Sequence, residues 1–176
     1  VALDALRARA KRTERSLAAA IARPGARFIL EIKEASPSQG AIRAGADVPA
    51  IARGYAGVAD ALSILTDGSR FGGSLADVAS ARPMFDGPIL AKDFFLGAHQ
   101  IVEARIAGAD AVLLMLSLLD DADARVMIDE ARQFGMGYVV EDNDEGNMAR
   151  AVALGAPLVG ITNRDLRDLS IDLSTT

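Results

Sequence analysis

Residues 28–40, FILEIKEASPSQG, decide the fold of this chain. They open as a short apolar run typical of a strand, and a loop containing Ser and Pro follows at once. Glu31 and Lys33 stand two positions apart, so a strand would place both side chains on one face near its C-terminal end. A carboxylate and an ammonium that emerge together before a loop predict the rim of an active site.

Apolar runs of the same kind recur along the 176 residues. They begin near Phe28, Ala61, Pro88, Asp110, Gly137 and Pro157. Their spacing of 20 to 33 residues fits a strand, a crossover helix and two loops. The segments between them read as helices, most clearly residues 120–134 and 144–154. Repeated strand and helix units with right-handed crossovers make a parallel sheet, which is either open or closed into a barrel.

Polar side chains at the ends of these runs favour the barrel. They are Glu31, Lys33, Ser63, Lys92, Glu141, Asn163 and Arg164. A doubly wound sheet gathers its site at one switch point, whereas a (β/α)₈ barrel collects residues from the ends of many strands. We therefore predict an α/β protein of the (β/α)₈ TIM barrel class over residues 28–176, with six of the eight βα units present. A helical extension over residues 1–27, helical as far as residue 21, is predicted to precede it.

The composition restricts the available chemistry. The chain is 51% apolar and 24% charged, as in an ordinary soluble domain. It has no Cys and one His, His99, which excludes disulfides, a Cys nucleophile and a histidine metal cluster. No GxGxxG motif is present, which weakens any dinucleotide-binding hypothesis. We expect no metal and no cofactor, so that Lys, Arg, Asp, Glu, Ser, Thr and Asn carry the chemistry.

The charge and hydropathy patterns bear on partners and location. The net charge of −5 argues against nucleic acid as a partner. The longest nearly uncharged apolar run, residues 111–119, is too short to span a membrane, and no secretory signal is visible, so we expect a cytoplasmic protein. Residues 1–27 carry a local excess of basic side chains, which we predict to be the solvated face of a helix.

Several motifs in order resemble one known family. They are Glu31 and Lys33 with Ser36 and Ser38, residues 63–67 with residues 71–74, residues 92–94, and residues 163–166. Residues 28–173, which contain these motifs, resemble indole-3-glycerol phosphate synthase of tryptophan biosynthesis. The resemblance implies a lyase that closes the indole ring of 1-(2-carboxyphenylamino)-1-deoxyribulose 5-phosphate with loss of CO₂ and water. It implies general acid and base catalysis without a metal or cofactor.

The resemblance also implies roles for four charged residues. Lys92 resembles the general acid that protonates the ribulose carbonyl as the ring closes. Lys33 resembles the cation that pairs with the anthranilate carboxylate and acts as an acid in a later step. Glu31 would orient Lys33 and share in proton transfer, and Glu141 corresponds to a carboxylate that acts as base or proton relay. Which glutamate takes which proton is left open.

Further residues are expected to bind the substrate. By resemblance they are Ser36, Ser63, Phe71, Phe94, Leu113, Asn163 and Arg164. Phe71 and Phe94 fit either an aromatic wall around the anthranilate ring or the core, and Ser63 fits either a pocket or a strand interior. The predicted rim holds more cations than carboxylates, which would attract a substrate with a carboxylate and a phosphate.

Three departures from the family pattern stand out. Thr162 stands where the family usually has a residue with a side-chain amide, just before Asn163 and Arg164. A hydroxyl replaces the paired donor and acceptor of the amide there. Asp142 replaces an apolar residue and would add a like charge beside Glu141. The third departure is the number of strands, since six are counted and the family's phosphate motifs on the seventh and eighth strands do not occur in these residues. We expect the sequence to be a piece of a longer protein, natural or otherwise.

Alternatives to this enzyme remain. A catalytically inactive, truncated barrel would act as a fragment or an assembly partner, and it would oligomerise or swap elements through exposed sheet edges. Fusion to another domain of the tryptophan pathway is a further expectation. Phosphoribosylanthranilate isomerase, a related barrel, is disfavoured because its chemistry would need a Cys that this chain lacks.

Overall fold

A computed structural model describes residues 2–165 and 170–176. Leu166, the last residue of the fourth motif, lies outside this range. The strands are β1 (Ile29–Ile32), β2 (Ala35–Ser36), β3 (Gly40–Ala41), β4 (Ala61–Leu65), β5 (Ile89–Lys92), β6 (Ala111–Leu114), β7 (Gly137–Asp142) and β8 (Leu158–Ile161). The α-helices are α1 (Leu3–Arg7), α2 (Leu17–Ile21), α3 (Val48–Tyr55), α4 (Gly68–Phe71), α5 (Leu75–Ala81), α6 (Ala98–Ala107), α7 (Asp121–Gln133) and α8 (Glu145–Ala153).

One parallel sheet forms the centre of the fold. Its six strands lie in the order β1, β4, β5, β6, β7 and β8, and each pair of neighbours is parallel. These strands are the six predicted apolar runs, and α7 and α8 are the two helices predicted most clearly, so this part of the prediction is confirmed. Within the described residues, no helix is both long and apolar enough to cross a membrane.

The two faces of the sheet are buried by different elements. The outward side chains, such as Ile64, Val112 and Val140, join the main core beneath the helices. The inward side chains Ala61, Leu90 and Ala111 form a second cluster with Leu17. Because Leu17 belongs to α2, this short helix covers the inner face near the strand starts. The opposite, C-terminal ends of the strands are left for the site.

The N-terminal segment differs from its prediction. A single helix over residues 1–21 is wrong, because α1 and α2 are separated by the non-helical residues 8–16. Thr13 lies in this stretch, where its backbone N donates to Phe134 O at 2.9 Å. Its hydroxyl donates to the buried Asp110 at 2.6 Å. These tertiary hydrogen bonds override the helix propensity of the segment.

The basic residues of this segment are only in part solvated, since Arg9, Lys11 and Arg12 are exposed but four others have specific partners. Arg7 donates to both carboxylate oxygens of Glu130, at 3.0 and 2.6 Å, and Glu130 is only 2% exposed. Arg15 donates to the carbonyl of Asp86 at 2.7 Å. Arg23 and Arg27 both pair with Asp60. The prediction missed these contacts because each partner lies far away in the sequence.

The edges of the sheet are formed by β1 and β8 in the part of the chain that the structure describes. Both carry exposed apolar side chains, with Ile29 40% exposed on β1 and Val159 and Ile161 43% and 50% exposed on β8. The loop after β1 also contains an unpredicted hairpin, in which Ala35 and Ser36 of β2 pair with β3.

Candidate active site

A chain of four charged side chains crosses the C-terminal end of the sheet. Lys33 Nζ lies 2.6 Å from Glu31 Oε1. The second oxygen of Glu31, Oε2, lies 3.5 Å from Lys92 Nζ. Lys92 Nζ lies a further 3.5 Å from Glu141 Oε2. Two cations and two carboxylates therefore alternate along one line, and Lys92 is shared between the two carboxylates.

Strand alternation explains why these side chains meet. Glu31, Lys92 and Glu141 belong to β1, β5 and β7, and the residues next to them in each strand face the helices instead. Parallel strands bring their C-terminal ends to the same edge, so residues far apart in sequence converge. Gly160 of β8 stands opposite Glu141, and a Cβ there would lie 3.3 Å from Glu141 Cγ. The missing side chain leaves room for the carboxylate.

The charged chain lines a cavity of about 180 Å³. Leu65, Leu113 and Met115 supply apolar walls. Phe71 and Phe94 add an aromatic side, with ring centroids 6.3 Å apart and planes inclined at 42°. The cavity thus combines an apolar slot with alternating charges, a combination suited to a planar aromatic ligand that carries a carboxylate.

The loop that carries Phe71 is fixed at both ends. Asp67 caps α4 by accepting from Arg70 N at 2.6 Å. Gly73 lies against the end of β4, where a Cβ would overlap the carbonyl of Leu65. Only glycine fits at that position, so the loop approaches the strand more closely than any other residue would allow. This close approach brings Phe71 over the cavity.

Eight of the predicted site residues line this cavity. They are Glu31, Lys33, Phe71, Lys92, Phe94, Leu113, Glu141 and Arg164. Ser36, Ser63 and Asn163 do not line it. Ser36 lies in the β2–β3 hairpin, and Asn163 accepts hydrogen bonds from Thr176 Oγ1 and Asp172 N. Ser63 is 4% exposed and lies beneath the charges, in an adjoining space lined also by Glu31, Lys92 and Glu141.

Four lining residues were not among the predicted substrate contacts. They are Leu65, Asp93, Met115 and Thr162. Leu65 and Met115 follow the inward-facing Ser63 and Leu113 at two-residue spacing, so strand alternation would have found them. Asp93 accepts from the hydroxyl of Thr66 at 2.7 Å, a contact between two strand ends that sequence spacing does not reveal.

Asp142 does not stand beside Glu141 as a competing charge. Its side chain points to the other face of β7 and is 2% exposed. It accepts hydrogen bonds from the backbone N of Ser117 and from Asn147 Nδ2, each at 3.0 Å. The expected like charge in the site is therefore wrong, because successive strand residues face opposite sides of the sheet.

The arrangement supplies acids, bases and a cationic docking point. Each lysine has a carboxylate nearby, so a proton given by one group can be received by another. Among residues 2–165 and 170–176, no three His, Cys, Asp or Glu side chains converge in a group that could hold a metal ion.

Comparison with known sequences identifies the family. The model of the indole-3-glycerol phosphate synthase family matches residues 2–176. The chain belongs to this family. It is 51% identical over 84% of its length to an indole-3-glycerol phosphate synthase from Nocardioides sp., of which it covers 57%. It is 43% identical over 99% of its length to one from Streptomyces griseus, of which it covers 66%.

Membership of the indole-3-glycerol phosphate synthase family confirms the predicted fold class. The family is a TIM barrel, and the six parallel strands with their helices form part of that architecture. The chain spans 57 to 66% of the length of these two relatives. A Vibrio parahaemolyticus protein named tryptophan biosynthesis protein TrpCF is 46% identical over 85% of the chain, which covers 31% of that relative. Relatives of this chain therefore include a much longer protein of tryptophan biosynthesis.

Proposed function

We propose that this chain carries the acid and base groups of an indole-3-glycerol phosphate synthase. The substrate would be 1-(2-carboxyphenylamino)-1-deoxyribulose 5-phosphate, and the products indole-3-glycerol phosphate, CO₂ and water. The observation that supports this proposal is the alternating chain of Lys33, Glu31, Lys92 and Glu141 around one apolar cavity.

Lys92 would act first, as the general acid of ring closure. The ring carbon that bears the carboxylate attacks the ribulose carbonyl, so a new carbon–carbon bond forms and the carbonyl oxygen gains negative charge. An ammonium next to that oxygen supplies the proton and stabilises the charge. Lys92 lies 3.5 Å from each flanking carboxylate, beyond a short hydrogen bond, so its protons are available to a ligand.

The two later losses use the groups on either side of Lys92. Cleavage of the bond to the carboxylate releases CO₂ and returns its electron pair to the ring, which becomes aromatic again. The new hydroxyl then leaves as water after protonation, and a base removes a proton from the neighbouring carbon. Lys33 would give the proton, and Glu31 or Glu141 would receive one, since all three line the cavity.

Substrate binding would use the walls of the same cavity. Lys33 is 32% exposed and can pair with the anthranilate carboxylate. Phe71 and Phe94 would flank the aromatic ring. Arg164 lines the cavity from the chain after β8 and adds a cation to the rim. Ser36, Ser63 and Asn163 lie outside the cavity, so we assign them no direct contact.

The test is to follow both products from carboxyl-labelled substrate. The chain, expressed in the length that its gene encodes, should release one labelled CO₂ for each indole-3-glycerol phosphate found by mass spectrometry. A folded protein that forms neither product would overturn the proposal. Indole formation without labelled CO₂ would overturn the assigned loss of the substrate carboxylate.

Assembly is a second proposal, and it rests on the edges of the sheet. Ile29 on β1 and Val159 and Ile161 on β8 are exposed apolar side chains on edge strands. Such edges favour pairing with another chain or with a further domain, and the TrpCF relatives are compatible with a fusion. Light scattering of the purified protein tests for oligomers, and a mass equal to one chain would remove the proposed pairing with another chain. A cytoplasmic location is proposed as well, and cell fractionation tests it.

A further inference from the structure

The residues around Asp142 connect three elements behind the cavity. Asp142 Oδ2 accepts from Ser117 N and Asn147 Nδ2, each at 3.0 Å. Its other oxygen, Oδ1, accepts from the backbone N of Asn143 at 2.9 Å and of Asp144 at 3.1 Å. These four hydrogen bonds satisfy both oxygens of the buried carboxylate. The loop after β6, the loop after β7 and the first turn of α8 are thereby joined at one side chain.

Arg150 holds the same loop from the side of α8. It donates to the carbonyl oxygens of Leu116 and Leu119, at 2.9 and 2.7 Å, and to Asn147 Oδ1 at 2.7 Å. Within the loop, Leu118 N donates to Met115 O at 3.0 Å and closes a turn. Residues 115–119 are therefore fixed at their backbone N–H and C=O groups by Asp142 and Arg150.

This loop matters because Met115 is part of the cavity wall. Met115 is 5% exposed and lies on the wall with Leu113. The backbone of Asp142 also accepts from Thr162 N at 3.1 Å, and Thr162 lines the cavity too. A shift of Asp142 would therefore move two lining residues from behind, although its side chain lines not this cavity but an adjoining one, which Met115, Thr162 and Arg164 also line.

We propose that Asp142 is a positioning residue that fixes Met115 in the substrate-binding wall through its hydrogen bond to the Ser117 amide. The kinetic part of this inference rests on the proposed function, whereas its structural part does not. The binding wall contacts the substrate before and during the reaction, so misplacing it weakens substrate binding more than it slows the chemical steps.

Three variants separate the two links made by the carboxylate. Asp142→Val removes both links, together with the hydrogen bonds from the backbone N of Asn143 and Asp144. Asn147→Ala removes the link to α8 and the hydrogen bond from Arg150 to Asn147 Oδ1, and it keeps the link to the Ser117 amide. The double exchange of Asp142→Asn with Asn147→Asp restores a donor and acceptor pair between the two positions, with the donor now on the strand. The backbone N–H of Ser117 then faces a side-chain amide nitrogen at position 142. The double exchange therefore removes only the hydrogen bond between Ser117 and position 142. Glu145→Gln is the matched control, because it removes the same negative charge as Asp142→Val but at an exposed position of α8.

The kinetic readout is the split between KM and kcat in folded protein. We expect KM to rise about tenfold in Asp142→Val and in the double exchange, with kcat changed less than about threefold. Asn147→Ala and Glu145→Gln should keep the wild-type KM. If Asp142→Val does not fold, the double exchange decides the matter. A double exchange with wild-type KM would overturn the inference.

Amide hydrogen exchange gives a second readout that needs no activity. Exchange at Ser117 should be at least about tenfold faster in the double exchange than in wild type, with Asn147→Ala close to wild type. Unchanged exchange at Ser117 would overturn the inference. If the wild-type protein forms no indole product, the proposed function fails, and the exchange result alone decides whether Asp142 holds the loop.

Discussion

Glu31 Oε2 lies 3.5 Å from the ammonium of Lys92, whereas its other oxygen lies 2.6 Å from Lys33. The two lysines therefore differ in how strongly a carboxylate holds them. Lys33 has a short, charge-assisted hydrogen bond, and Lys92 is shared by Glu31 and Glu141 at longer distances. This difference agrees with the proposed roles of Lys33 in holding the substrate carboxylate and of Lys92 in proton donation.

Replacing Lys33 should weaken binding of the substrate carboxylate. Lys33→Met removes a cation that is partly exposed in the cavity, and we expect KM to rise about tenfold to a hundredfold, the value of one hydrogen bond to a charged group. Steady-state kinetics and isothermal titration measure the change.

The specificity of this effect is tested with an analogue that carries a phenyl ring in place of the carboxyphenyl ring. The Kd of the analogue should be nearly equal for wild type and Lys33→Met, because the carboxylate is missing from the ligand. A similar loss of affinity for both ligands would contradict the assigned pairing.

Replacing Gly73 should displace the loop that holds Phe71. Gly73→Ala introduces a methyl group that overlaps the carbonyl of Leu65 at the end of β4. We expect the free energy of unfolding to fall by about 1–3 kcal/mol and KM to rise several-fold, because the loop must move away from the strand. Urea unfolding and kinetics measure the two effects.

Gly54→Ala is the control for this change. Gly54 lies in α3, where an added methyl group meets nothing within 4 Å. Alanine should leave activity unchanged and raise the free energy of unfolding by up to about 1 kcal/mol, since it favours a helix over glycine. Equal behaviour of the two variants would contradict the close approach of Gly73 to β4.

Asp60 should make the stability of the fold depend on acid. The hydrogen bond from Phe28 N lowers the pKa of Asp60 below its ordinary value, and Arg27 adds to this effect against the opposing influence of burial. A carboxyl whose pKa is lowered by folding stabilises the protein above its unfolded-state pKa, and this stabilisation is lost as the pH falls through the folded-state pKa.

The variant Asp60→Asn isolates this contribution. Its free energy of unfolding should be lower than that of wild type at about pH 7, and the difference should shrink below about pH 4. Asp86→Asn, a change at an exposed carboxylate, is the control for the loss of one negative charge. A difference between Asp60→Asn and wild type that stays constant down to about pH 3 would contradict the prediction.

The repeated strands and most of the cavity followed from the sequence. Apolar runs at regular spacing predicted the six parallel strands. The same strand ends indicated Glu31, Lys92 and Glu141, since parallel strands bring their C-terminal ends together. Local patterns were sufficient for these features.

Features made by distant contacts could not be predicted in this way. The break between α1 and α2 depends on the bond between Thr13 and Asp110, which are 97 residues apart. The pairing of the partly exposed Arg7 with the buried Glu130 could likewise not be foreseen from a basic run in the sequence. Asp142 was misplaced for another reason, because its position next to Glu141 in sequence hides the fact that strand neighbours face opposite sides.

Lys92 provides the most direct test of the central claim. The measurement is the rise of indole fluorescence when the protein, in the length that its gene encodes, is mixed with 1-(2-carboxyphenylamino)-1-deoxyribulose 5-phosphate. Wild type and Lys11→Met, a change at an exposed lysine, should form product at equal rates. Lys92→Met should fold normally and be slower by a factor of about 100 to 10,000, as expected when a general acid is lost. Folded Lys92→Met that forms product at the wild-type rate would contradict the account.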